Sequence, residues 1–319
     1  MKVITLIALT FVVGILIYIF KSNIYTEQQE NSQNLQVSES LSSQDVSILF
    51  AGDMNFDRYI RQIGSHNGYA FILKDMSKFM QEGDCVVANL EGPITNNASI
   101  SVDSKIGSPD NYRFTFDPQT ATFLHDHNVC LVNIGNNHIY NFGDEGILST
   151  KELLKNADVA YFGDTGMDEN NRTLIKTFGE TRIGFVNFNA FVSDALAHTN
   201  EDVVKIKEQS DFVVVYAHWG MEYATTSQIN ERNIAHQFID SGADVIIGSH
   251  PHVIQESEQY KGKMIYYSLG NFVFDQYFQP ETQNGLLVRV TFDKDNDILS
   301  FQEYSVSMKN TGQTVITQE

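Results

Sequence analysis

Gly52-Asp53, Asn89-Leu90-Glu91, Asn136-Asn137-His138, His218-Trp219-Gly220 and Gly248-Ser249-His250-Pro251-His252 are the segments of this chain best equipped for chemistry. Together they offer carboxylates, an amide oxygen and imidazoles, the mixed oxygen and nitrogen donors suited to divalent transition metals. Two carboxylates drawn to one place repel and leave one protonated. A divalent cation between them removes that conflict. Each segment follows an apolar run that reads as a buried strand, and α/β folds bind ligands beyond the carboxyl ends of strands.

Taken singly, Asp53 follows Ile48-Leu49-Phe50-Ala51-Gly52, where Gly52 is expected to permit a sharp turn. Glu91 ends Val86-Val87-Ala88-Asn89-Leu90, and Pro93 then takes the chain out of the sheet. Pro251, between His250 and His252, is expected to keep the backbone extended, so that both imidazoles face one side. His218 closes a strand, and Trp219 is expected to wall a pocket. His66, His125, His127, His198 and His236 are read as structural, since a metal site needs several convergent ligands.

The elements that must position these groups alternate at first. Strands are expected at Val46–Ala51, Cys85–Leu90, Val129–Ile134, Val159–Phe162, Ile183–Phe188, Phe212–Ala217 and Asp244–Gly248. Helices are expected at Tyr69–Met80, Thr120–His127, Gly146–Asn156, Glu201–Gln209 and Gln228–Ser241 from apolar spacing. The character then changes to Met264–Leu269, Leu286–Phe292 and Leu299–Val306, the last two joined by the polar hairpin loop 293–297. Alternating β and α ending in antiparallel β predicts an α/β fold with a mixed sheet or two packed sheets. The globular domain is expected over 46–310, with 311–319 as a tail.

The chain has 319 residues, with 40 Asp+Glu against 21 Lys+Arg and a formal net charge of −19. No basic patch is visible, which argues against nucleic acid as a partner. A polyanion would be repelled unless a metal or a local basic cluster reversed the field. Cys85 and Cys130 lie in apolar stretches without a CxxC partner and are read as buried core thiols.

Val3–Phe20 is apolar except for Thr5, Thr10 and Gly14, and is flanked by Lys2 and Lys21. Its length approaches the roughly 20 residues that cross a hydrocarbon core. Ser22-Asn23-Ile24-Tyr25 is a poor cleavage site, so residues 1–21 are expected to be an uncleaved transmembrane anchor rather than a signal peptide. Residues 22–45, rich in Gln, Ser, Asn and Glu, are expected to be a flexible tether. The expected location is the cell membrane, single-pass, with the globular domain on the extracytoplasmic side.

The ordered set of these five segments, with His218–Tyr223, Gly248–Gln255 and Ser268-Leu269-Gly270-Asn271-Phe272, closely resembles the CapA family of poly-γ-glutamate capsule biosynthesis. That family looks like a branch of the calcineurin-like metallophosphoesterases. The resemblance runs from Val46 to Phe292 and implies a four-layer αββα sandwich of two mixed sheets. It implies two divalent metal ions (Mn, Fe, Zn or Mg) held by Asp53, Glu91, Asn137, His218, His250 and His252, with Glu91 bridging. His138 would be the general acid, and Arg58 would help stabilise developing charge. Asn55 and Glu91 stand where the wider superfamily carries histidine and aspartate. Asn141 and Ser249 stand where the family often carries an acidic residue and a histidine.

Three functions follow as expectations. The first is a metal-dependent hydrolase acting on a phosphoester or related bond of an anionic substrate. The second is a non-hydrolytic accessory subunit of a membrane-bound polyglutamate synthesis and export complex, binding the polymer or partner proteins. The third is a metal-free binding module, which would leave an expensive buried polar cluster.

Overall fold

The computed structural model describes residues 45–164 and 171–318. The expected anchor and tether fall outside the described residues. Among the described residues, no helix is long and apolar enough to cross a membrane.

Two mixed sheets form the body. The first contains β1 (Val46–Met54), β2 (Cys85–Leu90), β3 (Val129–Asn133), β4 (Ala160–Phe162), β11 (Asn271–Val273), β12 (Asn284–Asp293), β13 (Ile298–Met308) and β14 (Thr314–Gln318). Its order is β14-β13-β12-β1-β2-β3-β4, with β11 also paired to β1. The second contains β5 (Thr173–Phe178), β6 (Thr181–Asn189), β7 (Phe212–His218), β8 (Val245–Ser249), β9 (Ser257–Tyr260) and β10 (Lys263–Tyr266), in the order β5-β6-β7-β8-β10-β9. β1 through β4 are mutually parallel, as are β6, β7, β8 and β10. The chemistry-bearing ends of each parallel set therefore finish on one edge.

Strands β1, β2, β7 and β8 are buried along their whole length, as expected of strands covered on both faces. Alternation sorts their side chains. Ile48 and Phe50 of β1, Cys85 and Val87 of β2, and Phe212, Val214 and Tyr216 of β7 share one core cluster drawn from both sheets. Leu49, Ala51, Val86 and Ala88 join a second cluster with Ile60, Leu124, Ile147 and Leu154 from the helices Arg58–Asn67, Gln119–Asp126 and Gly143–Asn156. Val213, Val215 and Ala217 join a third with Val203, Ile206, Ala235 and Phe238 from the helices Ala195–Lys207 and Ile229–Ser241.

Several expectations are corrected. Cys85 and Cys130 are not free thiols but form a disulfide between β2 and β3. Apolar context alone cannot distinguish a buried thiol from half of a cross-strand pair. The segment expected to be one helix over Tyr69–Met80 is a 3-10 turn at Tyr69–Phe71 followed by the short helix Ser77–Met80. The helix Arg58–Asn67, capped by Asp57, was not visible in the apolar spacing because only Ile60 and Gly64 are buried. The expected tail supplies β14, whose Thr314 hydroxyl donates to Phe272 O at 2.5 Å. Gly52 does not turn the chain: it lies within β1, where an added Cβ would sit 1.9 Å from Gly270 O. Its requirement is close backbone approach rather than conformational freedom.

Candidate metal centre

Two rows of polar side chains cross the strand ends. In the first sheet, Asp53 pairs in register with Asn89, and Asn89 with Asn133. In the second, Asn189 pairs with His218, and His218 with Ser249. β1 carries one extra residue between Phe50 and Asp53 relative to β2. Such a bulge re-aims the side chains beyond it. Here the Asp53 carboxylate reaches across to the second sheet, accepting from Asn89 Nδ2 at 2.8 Å and from the backbone N–H of His250 at 3.0 Å.

The six residues expected as ligands come together. Ligand atoms of Asp53, Glu91 and His252 lie within 4.8 Å of one another, as do those of Glu91, His218 and His250. Glu91 belongs to both groups. Asn137 joins the second, its Oδ1 lying 2.9 Å from His218 Nε2. His250 and His252 arrive differently from the expectation. The His-Pro-His segment is not extended: His250 has φ 95° and His252 φ 59°. Left-handed backbone at two non-glycine residues is uncommon and costs energy. The rings converge with centroids 6.0 Å apart.

Three observations bear on whether a cation fits. Glu91 is fully buried, and neither carboxylate oxygen has a hydrogen-bond partner. A buried anion left in that condition is strongly disfavoured. His250 Nδ1 is likewise buried without a partner. The Ser249 hydroxyl donates to Ala217 O at 3.0 Å and so accepts from His218 Nδ1 at 3.1 Å. Asn89 Nδ2 lies 3.3 Å from the same nitrogen and makes its shorter bond to Asp53. His218 Nε2 then turns a lone pair toward Asn137 Oδ1, and two acceptors face one another. These donors fit a divalent cation.

Electrostatics follow burial. Burial holds the Glu91 carboxyl well above the usual carboxylate range; Asp53 and Glu222 add to this, and His252 opposes it. Burial alone would lower His252, but Glu91, Asp53 and Glu222 more than reverse it and raise the ring to about 9. Its Nε2 lies 3.5 Å from Glu91 Oε1, and its Nδ1 lies 3.0 Å from Asn271 Oδ1. With both partners raised, this pair retains at least one proton near neutrality. His250 is pushed down to about 4 by burial, with His252 adding. His218 is lowered by burial and by His250, His252 and His138.

His138 stands at the edge, its Nε2 3.9 Å from Glu91 Oε1. Asn141 Oδ1 accepts from Phe114 N at 2.8 Å and lies 3.1 Å from His138 Nδ1. The amide is thereby oriented, so Nδ1 carries the imidazole proton and bare Nε2 faces Glu91. Burial lowers His138 to about 4. Arg58 is paired to Asp275 and lies over the rings of Phe114 and Phe274 at 5.1 and 5.4 Å. Trp219 does not wall a pocket. It is 1% exposed in the core behind the second sheet and donates to Tyr267 O at 2.8 Å.

Sequence reasoning named Asn89 and Asn136 without giving them a role and missed Asn133 and Asn187, which with them brace the centre. Asn133 and Asn136 both donate to Asn89 Oδ1, at 3.0 and 3.1 Å, and Asn187 donates to Asn133 Oδ1 at 2.9 Å. The available signal was an asparagine lying within or ending an apolar run: Asn89, Asn133 and Asn187.

Residues 47–276 match the family model described as bacterial capsule synthesis protein PGA_cap. The chain is 30% identical over 266 residues to the PGA biosynthesis protein CapA of Bacillus subtilis (strain 168), covering 78% of this chain and 68% of that one. It is 28% identical over 250 residues to the capsule biosynthesis protein CapA of Bacillus anthracis, covering 72% of this chain and 60% of that one, less than two thirds of its length. A crystal structure of a hypothetical protein from Thermus thermophilus shares the fold, with a TM-score of 0.50 and 16% identity over 82% of this chain and 98% of that one. The family match spans both polar rows and runs to the segment holding Arg58's partner, and the chain belongs to the bacterial capsule synthesis protein family PGA_cap.

Proposed function

We propose that this protein is a membrane-anchored, metal-dependent hydrolase of capsule or poly-γ-glutamate synthesis, acting on a phosphoester or related bond. The observation that carries the reading is Glu91: a fully buried carboxylate with no hydrogen bond to either oxygen, shared by two groups of ligand-type side chains. Asp53, Glu91 and His252 would hold one divalent ion, and Glu91, Asn137, His218 and His250 the other. Such ions supply Lewis-acid stabilisation of developing charge and lower the pKa of water.

The chain's own groups set the rest. Asn89 and the His250 N–H fix the Asp53 carboxylate. Ser249 fixes the His218 tautomer, and Asn271 orients His252. Partners of this kind position ligands and tune their basicity. His138, with its proton on Nδ1, must gain a second proton at Nε2 before it can protonate a leaving group. Arg58 guards the approach as a cation already balanced by Asp275, so it orients an anion more than it attracts one.

The Cys85–Cys130 disulfide supports an extracytoplasmic placement, because such bonds persist in oxidising compartments. The four-layer metallophosphoesterase-like sandwich and the 1–21 anchor belong to the same reading. The test is hydrolysis of a generic phosphodiester with Mn²⁺ by the full chain and by His250→Ala. Loss of turnover in the variant is expected; equal rates remove the hydrolase reading.

The accessory-subunit reading is supported by a Mycobacterium tuberculosis relative, 29% identical over 287 residues and described as a probable polyglutamine synthesis accessory protein. Deleting residues 1–21 separates the two. A free-standing hydrolase keeps its activity in solution, whereas a complex subunit loses its cellular function.

A further inference from the structure

A groove of about 460 Å³ opens beside the centre, within the size range of small-molecule sites. Its walls carry the rings of Tyr59, Tyr112, Tyr223, Tyr277 and Phe278. Tyr59, Tyr112 and Phe278 are 36%, 46% and 64% exposed, which is unusual for large rings clustered on one face. Between them stand the amides of Gln62 and Gln276 and the hydroxyl of Ser104. Among the described residues lining it, only Arg58 and Asp275 are charged, and they pair with each other.

The groove is joined to the centre by direct contacts. Asn271, whose Oδ1 lies 3.0 Å from His252 Nδ1, donates through Nδ2 to Gln276 Oε1 at 3.1 Å. Gln276 Nε2 in turn donates to the Tyr223 hydroxyl at 3.4 Å. The Tyr223 ring lies 6.2 Å from that of His252. On the other side Arg58 covers Phe114, whose ring is 4.5 Å from that of His138. The walls of the groove therefore rest against residues that touch His252 and His138.

The lining chooses among occupants. A chain of carboxylates would need cations in excess, and the groove offers one arginine neutralised by an aspartate, on a protein of formal net charge −19. Aromatic rings together with amides and hydroxyls in one lining instead suit a ring with one C–H face and a rim of hydroxyls, the description of a sugar. We propose that this groove binds an uncharged sugar ring, the part of the substrate attached to the bond that the metal centre would act on. This deepens the hydrolase reading and rests on it for the bond cleaved, while the groove's selectivity can be read without catalysis.

The experiment is saturation-transfer NMR on the full chain with two probes: methyl N-acetyl-β-glucosaminide, which has no phosphate to engage a metal, and a γ-linked glutamate pentamer. Binding is measured for the wild type, Tyr112→Ala, Tyr112→Phe and His250→Ala, and Mn²⁺ binding is titrated separately. The expected result is transfer to the sugar's ring protons and none to the pentamer. Tyr112→Ala should weaken sugar binding about 3- to 10-fold, the worth of one aromatic contact, while Tyr112→Phe and His250→Ala retain it. Absence of transfer to the sugar, preference for the pentamer, or indifference to Tyr112→Ala would overturn the proposal. Failure of Mn²⁺ to bind would instead strike the hydrolase reading and leave sugar binding to be judged on its own signal.

Discussion

Asn141 Oδ1 lies 3.1 Å from His138 Nδ1 and is held there by the Phe114 N–H. Asn141 stands where the family resemblance leads one to expect an acidic residue. A carboxylate would favour the imidazolium, whereas this neutral amide leaves burial free to hold the ring at about 4.

Replacing that amide by a carboxylate should reverse the balance. In Asn141→Asp, His138 is expected to titrate well above its wild-type position and to hold a proton on each ring nitrogen nearer neutrality. Histidine-resolved NMR titration measures this directly. An unchanged His138 would show that the amide does not control its charge.

The buried imidazoles predict a stability maximum in a chelator-treated protein. His138 and His250, at about 4 in the fold against an ordinary 6.5, bind fewer protons folded than unfolded. Their contribution is present above 6.5 and is lost as pH falls from 6.5 toward 4. His252, raised to about 9, works in the opposite sense: its contribution is present below 6.5 and is lost as pH rises toward 9. Glu91, also raised, works in the same sense as His252, its contribution being lost as pH rises from its ordinary 4.5. Urea midpoints should therefore peak near pH 6.5, and His252→Asn should flatten the alkaline side.

A cation entering the same cluster must displace the proton that Glu91 and His252, both raised and with facing atoms 3.5 Å apart, retain near neutrality. Metal affinity should rise with pH up to about 9. Calorimetry of Mn²⁺ binding in two buffers of different ionisation enthalpy should report proton release near pH 7. Identical heats in the two buffers would contradict it.

The disulfide links strands neighbouring the centre across a sequence separation of 45. By the chain-entropy argument, a loop of that size is worth roughly 4 kcal/mol, and native strain reduces what is measured. Cys85→Ser/Cys130→Ser is expected to lose about 2–4 kcal/mol in urea unfolding. A loss below about 0.5 kcal/mol, the ordinary scatter of surface changes, would show that the cross-link is not structural.

Much of the site was legible because its residues end apolar runs. Asp53 lies one residue before the end of β1, Glu91 directly follows β2 and His218 ends β7, and a buried titratable side chain there is costly unless it is paired or binds a metal. The ligand-type residues His250 and His252 were also recognisable, but their left-handed backbone was not, since Pro251 fixes its own φ and biases His250 toward extended backbone, the opposite of what is found. The asparagine brace from Asn89 to Asn187 was harder to see. Its members are far apart in sequence, and asparagine ordinarily reads as a turn residue. The disulfide was missed for the same reason: Cys85 and Cys130 meet only through strand order. Helix Arg58–Asn67 carries too narrow a buried stripe to register as a periodic pattern.

The most direct measurement is the metal content of the purified full chain by elemental mass spectrometry after Mn²⁺ loading and desalting, in wild type and Glu91→Gln. The shared position of Glu91 in both ligand groups predicts about two ions per wild-type chain and loss of both in the variant. A wild-type protein that retains no divalent ion, or a variant that retains both, would contradict the account.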